Sequence, residues 1–256
     1  MTVLWFVLFA LILVGYFALE GANIGVGVLL PVLGRGERER ARLVSTLGPL
    51  VLVGEVWLVA VAGLLFGAFP SVEGHVLSAL YPLVVVLLLG WVVRDAGVWF
   101  RRRATAPAWR LWCDGLVVTG SITLAFTWGL ILYALLVGLH RQVLSPAGIL
   151  LGLAVTALLA VHGLVFAASK ARSRAATLVA RRLGPFSKIG VTGFAAVLPA
   201  LVMVSLRASY LLDNAAPDGT LSTMAWIALP VVPLIAAAQW WAWRAFTRPA
   251  PVQSFF

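Results

Sequence analysis

Long apolar stretches, separated by short polar connections, dominate the chain. Seven of them are long enough to cross a bilayer, because a membrane-spanning helix needs roughly 20 apolar residues. They lie near residues 3 to 33, 43 to 69, 76 to 99, 111 to 139, 146 to 169, 189 to 206 and 223 to 243. The pattern predicts an all-α, polytopic membrane bundle of about seven transmembrane helices. We expect one integral-membrane domain over 1–256, with a first four-helix bundle over 1–140 and a shortened second bundle over 141–256.

Composition supports the membrane assignment. Hydrophobic residues make up 62% of the chain and charged residues only 11%, whereas an average soluble domain carries about a quarter charged residues. The chain therefore lacks the polar surface of a soluble protein. Its only cysteine, Cys113, excludes an internal disulfide and a cysteine-based metal cluster.

Basic residues alternate between the two predicted sides of the membrane. When they are assigned to the predicted connections, 17 of the 19 Lys and Arg fall on one side and 2 on the other. Such an excess marks the cytoplasmic side, so we expect the amino terminus outside and the carboxyl terminus in the cytoplasm. The net charge of +10 follows from topology, and it requires no nucleic acid partner.

Two acidic residues are predicted deep in the membrane, at matching depth. Glu20 and Glu55 lie roughly 18 to 20 Å from the cytoplasmic ends of the first two apolar stretches, at 1.5 Å per residue. A charge at mid-depth costs about 2.5 to 3.5 kcal/mol, so each carboxylate needs a partner or a function. One interpretation is a proton relay. The other is structural, with hydrogen bonds across the bundle and a bond from Asn23 to Glu20.

Two further acids lie near helix ends, where ion pairs account for them. Asp95 follows Arg94, and a salt bridge at the cytoplasmic interface is expected. Asp114 lies four residues after Arg110, a spacing that also allows an ion pair on one helix face.

Histidines and glycines complete the set of informative residues. A transmembrane haem usually needs two ligands at compatible depth. His162 alone is predicted deep, since His75 and His140 lie at outer helix ends. We therefore expect no haem, no metal site and no catalytic residue in this chain alone. Gly21 and Gly25 form a small-xxx-small step that permits close helix packing. The first stretch is long enough as straight helix to predict tilt, protrusion or a break near these glycines.

Several motifs occur in an order typical of one family. The segment 15–27, GYFALEGANIGVG, contains Glu20, Gly21, Gly25 and Gly27. It is followed by Gly54-Glu55-Val56-Trp57-Leu58, Phe100-Arg101, Trp109-Arg110 with Asp114, and His162-Gly163 with Lys170. Through about residue 175 the chain resembles subunit II of the cytochrome bd-type quinol oxidases.

The resemblance implies a function in an assembly. In that family the haem-bearing subunit I oxidises quinol and reduces dioxygen, and haems b and d are expected there. This chain would be the accessory, non-haem-ligating subunit, without chemistry of its own, that stabilises subunit I and contributes to proton supply. The resemblance also allows a small single-helix subunit as a partner, bound quinone or lipid, and a location in the inner membrane of a bacterium or archaeon.

The chain also departs from the family pattern. Asn23 stands where the family has a second acid, Leu52 and Trp99 replace two further acids, and the family has two more helices beyond the position of Phe256. Glu20 and Glu55 are the remaining candidates for a proton path. The alternative from another class is a small ion-coupled transporter that uses these two carboxylates, and a scaffold that moves no proton is a third interpretation.

Overall fold

The computed structural model describes residues 1–139, 142–169 and 173–246. In these ranges it contains helices and no strand. The helices are α1 (Thr2–Val28), α2 (Leu30–Leu33), α3 (Glu37–Ala68), α4 (Pro70–Phe100), α5 (Pro107–Val137), α6 (Pro146–Ser169), α7 (Arg174–Ala180), α8 (Ile189–Leu206), α9 (Ala208–Asp213), α10 (Asp218–Ala228) and α11 (Val231–Phe246), with a 3-10 segment over Arg181–Ser187. His140 and Lys170 lie outside the described residues.

Among the described residues, seven segments are long and apolar enough to cross a membrane, which confirms the predicted multi-pass, all-α class. They are Thr2–Val28, Leu50–Ala68, Pro70–Phe100, Pro107–Val137, Pro146–Ser169, Ile189–Leu206 and Asp218–Trp241. The orientation of the termini stays a prediction.

Prolines set several helix boundaries. α4, α5 and α6 begin at Pro70, Pro107 and Pro146, where the fixed φ suits the first helical turn and the missing N–H is not needed. The sequence pattern placed the start of the third span six residues later, because the polar residues Glu73 and His75 interrupt the apolar run.

The first apolar stretch is broken, which is one of the three outcomes that its length allowed. α1 ends at Val28, and the short helix α2 begins at Leu30. Pro31 accounts for the break, since it lacks an N–H and its ring conflicts with the carbonyl four residues earlier. The last span is interrupted in the same way between α10 and α11, where Pro230 follows Leu229.

α1 lies at the centre of the bundle. It packs against α3, α5, α6 and α8, and α4 packs mainly against α5. Residues 20–27 of α1 are all buried, so this segment meets its neighbours on every side. The contacts of α6 and α8 with α1 join the later helices to the earlier ones, and the division at residue 140 stays a prediction.

Candidate functional site

A buried ion cluster joins α1, α3 and α4. Glu20 on α1 is 1% exposed, and it forms an ion pair with Nη1 of Arg94 on α4, which is 2% exposed. Asn23, one turn further along α1, donates a hydrogen bond from Nδ2 to Oε2 of Glu20 at 2.8 Å. Both oxygens of the Glu20 carboxylate therefore have partners, as a carboxylate away from water requires.

Two more carboxylates contact the same guanidinium. Nε of Arg94 donates to Oδ1 of Asp95 at 2.9 Å, and Nη2 lies 3.7 Å from Oε1 of Glu55. Nε1 of Trp91 donates to that Glu55 oxygen at 2.9 Å. Three acids thus surround one arginine, and we call Glu20, Glu55, Arg94 and Asp95 the Arg94 cluster.

Glycines allow the helices to approach closely enough for these contacts. A Cβ on Gly54 of α3 would collide with the Glu20 carboxylate, and a Cβ on Gly120 of α5 would lie 2.5 Å from the backbone nitrogen of Arg94. These two positions have no room for a side chain. The ion cluster therefore depends on the small residues around it as well as on its own charges.

The structure contains several of the contacts that the sequence suggested. The bond between Asn23 and Glu20 and the ion pair between Arg94 and Asp95 are both present. Glu20 and Glu55 lie at a common depth, because both reach Arg94.

The burial of Arg94 and its contact with Glu20 are the features that sequence reasoning missed. The count of basic residues by connection includes Arg94 in the connection after the third span, but it lies inside the candidate span Pro70–Phe100 and is buried. The available signal was its position within the predicted span 76–99, next to an acid and two turns before the arginines at the helix end. A charged residue inside a predicted span is expected to pair with another charged residue inside the membrane.

A second ion cluster lies at the end of α4. Arg101 binds Asp114 of α5 through two hydrogen bonds, Nε to Oδ1 at 2.6 Å and Nη2 to Oδ2 at 3.2 Å. Nη2 also donates to Oε2 of Glu37 at 3.0 Å, and Nε of Arg40 lies 3.0 Å from Oδ2 of Asp114. Burial alone would lower the pKa of Arg101, but its bonds and charge interactions with Asp114 and Glu37 raise this pKa above the ordinary value.

Asp114 does not pair with Arg110, the partner that helix spacing allows. Arg110 pairs instead with Oε1 of Glu37 at 3.2 Å, while Asp114 pairs with Arg101 and Arg40. Helix spacing favoured Arg110 from the same helix, whereas tertiary packing brings in arginines from the ends of two other helices. This cluster ties the neighbouring ends of α3, α4 and α5 together.

His162 on α6 has partners for both ring nitrogens. Nε2 lies 2.9 Å from the carbonyl of Ala18, and Nδ1 lies 3.0 Å from the hydroxyl of Thr192. A carbonyl can only accept, so Nε2 carries the hydrogen of this bond. The ring links α1, α6 and α8. Within the described ranges, no group of three or more His, Cys, Asp or Glu could hold a metal ion.

The glycines of the α1 motif lie at helix contacts. A Cβ on Gly25 would collide with the backbone of Leu159 on α6, and a Cβ on Gly27 would collide with the hydroxyl of Ser121 on α5. Gly21 faces the side chain of Leu159. The small-xxx-small step thus sits at a close packing point between α1 and α6, as predicted.

Trp57 connects α3 to the last span. Its ring lies where a Cβ on Gly15 would be, and its Nε1 donates to Oε1 of Gln239 on α11 at 3.0 Å. The residue is therefore a packing element of the bundle in this structure.

Central glycine contacts, buried ion clusters and the seven candidate spans of the described ranges define a polytopic helical membrane protein. The chain belongs to the family described as cytochrome bd terminal oxidase subunit II, whose model matches residues 1–212. This finding confirms the resemblance seen in the motifs.

Individual relatives are similar over part of the chain. The Bacillus subtilis (strain 168) protein named cytochrome bd ubiquinol oxidase subunit 2 is 37% identical over 175 residues, covering 64% of this chain and 52% of the relative. The Haemophilus influenzae protein named probable cytochrome oxidase subunit 2 is 29% identical over 175 residues, covering 62% and 46%. The Escherichia coli K12 protein named cytochrome bd-I ubiquinol oxidase subunit 2 is 26% identical over 178 residues, covering 64% and 47%. The chain spans about half the length of the curated relatives it matches.

Proposed function

We propose that this chain is the accessory subunit of a cytochrome bd-type quinol:oxygen oxidoreductase and that it stabilises the haem-bearing subunit I in a bacterial or archaeal inner membrane. The observation that carries the proposal is the family match over residues 1–212. The names of the relatives, which are subunits of ubiquinol oxidases, support the same assembly. The family match also favours an oxidase subunit over the small ion-coupled transporter.

His162, the buried histidine of the described residues, does not fit a haem ligand. A haem iron bound by His162 would have to displace the bond to Ala18 or the bond to Thr192, and both bonds join helices. We therefore assign haems b and d to the partner subunit, and no chemical step to this chain alone.

The carboxylates of the Arg94 cluster have a structural role in this proposal. Glu20 has an ionic partner in Arg94 and a hydrogen-bond donor in Asn23, and it is almost fully buried. Such a carboxylate is held in place, whereas a relay group must exchange partners. Glu55 is more open, at 19% side-chain exposure, so it is the residue at which a contribution to proton supply would first be detected.

Neutral substitutions test the structural role against the relay. Glu20→Gln and Glu55→Gln retain hydrogen-bonding groups, so the complex with subunit I should keep its quinol-dependent oxygen consumption within about twofold, well under the 10²-fold or larger contribution of a general acid or base. Glu55→Leu removes the acceptor of the Trp91 bond and should lower the yield of assembled complex. Glu73→Gln, at the outer end of α4, is the matched control.

Two results would overturn parts of the proposal. A loss of turnover in an assembled Glu20→Gln or Glu55→Gln complex would assign the carboxylates to a proton path. A stoichiometric haem spectrum from this chain expressed without subunit I would reject its non-haem role.

A further inference from the structure

The connection between α6 and α8 is strongly basic. Its described part, residues 173–188, which we call the α6–α8 connection, contains four basic residues and no acidic one. The basic residues are Arg174, Arg181, Arg182 and Lys188. None of the four forms an ion pair with a described residue. The described part of the chain therefore leaves this positive charge without a counter-charge.

Three large apolar side chains of the same segment face away from the bundle. Leu178, Val179 and Phe186 are 58%, 46% and 64% exposed. Ala176 and Ala180, four residues apart on α7, are buried instead. On α7, the small side chains thus pack on the protein and the large ones point outward, which is the reverse of the pattern of a surface helix in water.

Both ends of the α6–α8 connection are held at one surface of the membrane. α6 ends at Ser169 and α8 begins at Ile189, and both helices are candidate spans. Two consecutive spans leave their connection on a single side, within reach of one leaflet. A basic segment with outward apolar side chains in this position matches an interfacial element, which inserts its apolar groups among the acyl chains and keeps its cationic groups at the headgroups.

A recess between α3 and α7 provides a place for one headgroup. It is lined by Glu39, Arg42, Leu43, Ser173 and Arg174. Its volume of about 70 Å³ is several times the roughly 10 to 15 Å³ that one water molecule requires. Arg42 directly precedes the start of the second apolar stretch, so the recess lies at the edge of the apolar region.

The lining of the recess suits a phosphate group. Arg42 and Arg174 come from different helices and are exposed, and neither forms an ion pair with a described residue. The hydroxyl of Ser173 accepts a backbone N–H at 3.3 Å and donates to no described residue, so its hydrogen remains available. Glu39 is the one acid, and it accepts a hydrogen bond from the backbone N–H of Arg35 at 3.1 Å. Two guanidinium groups and a hydroxyl are the donors that phosphate oxygens bind well.

We infer that the α6–α8 connection is a binding surface for anionic phospholipid. Its exposed apolar side chains lie among the acyl chains, its basic side chains face the headgroups, and one phosphodiester lies in the recess between Arg42 and Arg174. Charge complementarity selects an anionic lipid, because a zwitterionic lipid would leave the cations without a net counter-charge. The surface belongs to this chain and does not depend on the oxidase partner.

Native mass spectrometry of the purified full chain tests the lipid preference. We expect the tightest phosphatidylglycerol to bind about tenfold better than phosphatidylcholine. The double variant Arg42→Gln, Arg174→Gln should weaken that phosphatidylglycerol about 30-fold, the change that about 2 kcal/mol produces. Arg42→Lys, Arg174→Lys keeps both charges and should retain most of the affinity.

A matched control separates the recess from general positive charge. Arg102→Gln, Arg103→Gln removes two charges at the end of α4 and should leave the tightest affinity unchanged. Equal affinity for the two lipids, an equal loss in this control, or displacement of phosphatidylglycerol by inorganic phosphate would each overturn the inference.

Spin labels test whether the segment enters the membrane. In a Cys113→Ala background, nitroxides at Leu178→Cys and Phe186→Cys would be compared with one at Arg38→Cys, in liposomes that contain phosphatidylglycerol. We expect positions 178 and 186 to collide more with oxygen than with a water-soluble nickel chelate, and position 38 to show the reverse. Greater access to the chelate at 178 and 186 would place them in water. Exclusion of both reagents would show that a protein covers them, and either result would reject the lipid surface.

Discussion

Arg94→Met is the substitution that most directly tests how the bundle is held together. Methionine replaces most of the volume of the arginine stem but has no charge and no hydrogen-bond donor. The change leaves Glu20 buried beside Asn23 with its cationic partner missing. It also removes the nearest cation from Asp95 and Glu55. The native state should therefore lose stability relative to the unfolded state.

The size of the loss can be worked from the Glu20 carboxylate. Breaking a buried ion pair by removing one partner costs about 3 to 5 kcal/mol. The loss has a ceiling, because Glu20 can bind a proton instead of remaining charged. For a Glu with an ordinary pKa of about 4.3, protonation at pH 7 costs about 3.7 kcal/mol, whereas at pH 5 it costs about 1 kcal/mol. We expect Arg94→Met to lower the free energy of unfolding by about 3 to 3.5 kcal/mol at pH 7, within the range for a broken buried pair and below this ceiling.

The pH dependence has a definite sign. In the Arg94→Met variant, Glu20 binds a proton in the native state, whereas in the unfolded state its carboxylate loses that proton above its ordinary pKa. The stability of the variant therefore falls as the pH rises from 5 to 7. The loss should therefore shrink toward about 1 kcal/mol at pH 5. The same measurement on the unsubstituted chain gives the reference curve against which this shrinkage is judged.

The assay is reversible unfolding in bicelles at pH 7 and pH 5, with Arg102→Met as the matched control because Arg102 is exposed beyond the end of α4. The double variant Glu20→Gln, Arg94→Met should recover much of the lost stability, since no buried charge is left at Glu20. The reasoning is refuted if Arg94→Met costs less than about 1 kcal/mol at pH 7, below the range for a broken buried pair. It is equally refuted if the double variant is no more stable than Arg94→Met alone.

Three further substitutions test the packing and the topology. Gly25→Ala should destabilise the protein by about 1 to 3 kcal/mol in thermal unfolding, because the added methyl group overpacks the contact with α6. The control Gly63→Ala, at a position with open space around it, should be neutral or stabilising. Equal effects of the two substitutions would contradict the close contact at Gly25. Arg207→Met should cost about 1 to 3 kcal/mol, because the guanidinium donates at 2.7 and 2.8 Å to carbonyls at the end of α5, and an unchanged unfolding midpoint would contradict that role. Thr220→Cys should react with an impermeant maleimide in intact cells, and Arg182→Cys should react only after permeabilisation. The native Cys113 is buried, so it should add little background labelling. The opposite labelling pattern would reverse the predicted orientation.

Much of the fold could be predicted from the pattern of apolar residues. Each of the seven stretches corresponds to a candidate span, because the need to satisfy backbone groups in lipid leaves few alternatives to a helix. Helix ends were less predictable. The start of α4 at Pro70 was missed because Glu73 and His75 read as a connection, although the first turn of a helix that emerges from the membrane tolerates polar side chains.

The candidate site could be predicted only in part. Spacing along one helix identified the bond between Asn23 and Glu20, and chain neighbours identified the pair of Arg94 and Asp95. The contact between Glu20 and Arg94 joins residues 74 positions apart, and no local pattern reports such a contact. Because every arginine was counted as a loop residue, the contact between Glu20 and Arg94 was not considered. The positive-inside rule, which predicts the topology, assumes that basic residues lie outside the membrane.

The glycines and the ion cluster together explain how this bundle acquires a single register. When two apolar helices slide along each other in lipid, the packing free energy changes little, because lipid tails are as apolar as the side chains. Gly54 brings α3 against the Glu20 carboxylate, and Gly120 brings α5 against the backbone of Arg94. In that alignment Arg94 reaches Glu20, whereas an alignment that separates the two leaves a buried charge without a partner, at a cost of about 3 to 5 kcal/mol. The small residues therefore permit the close approach, while the charges select one position from among those that close approach would allow.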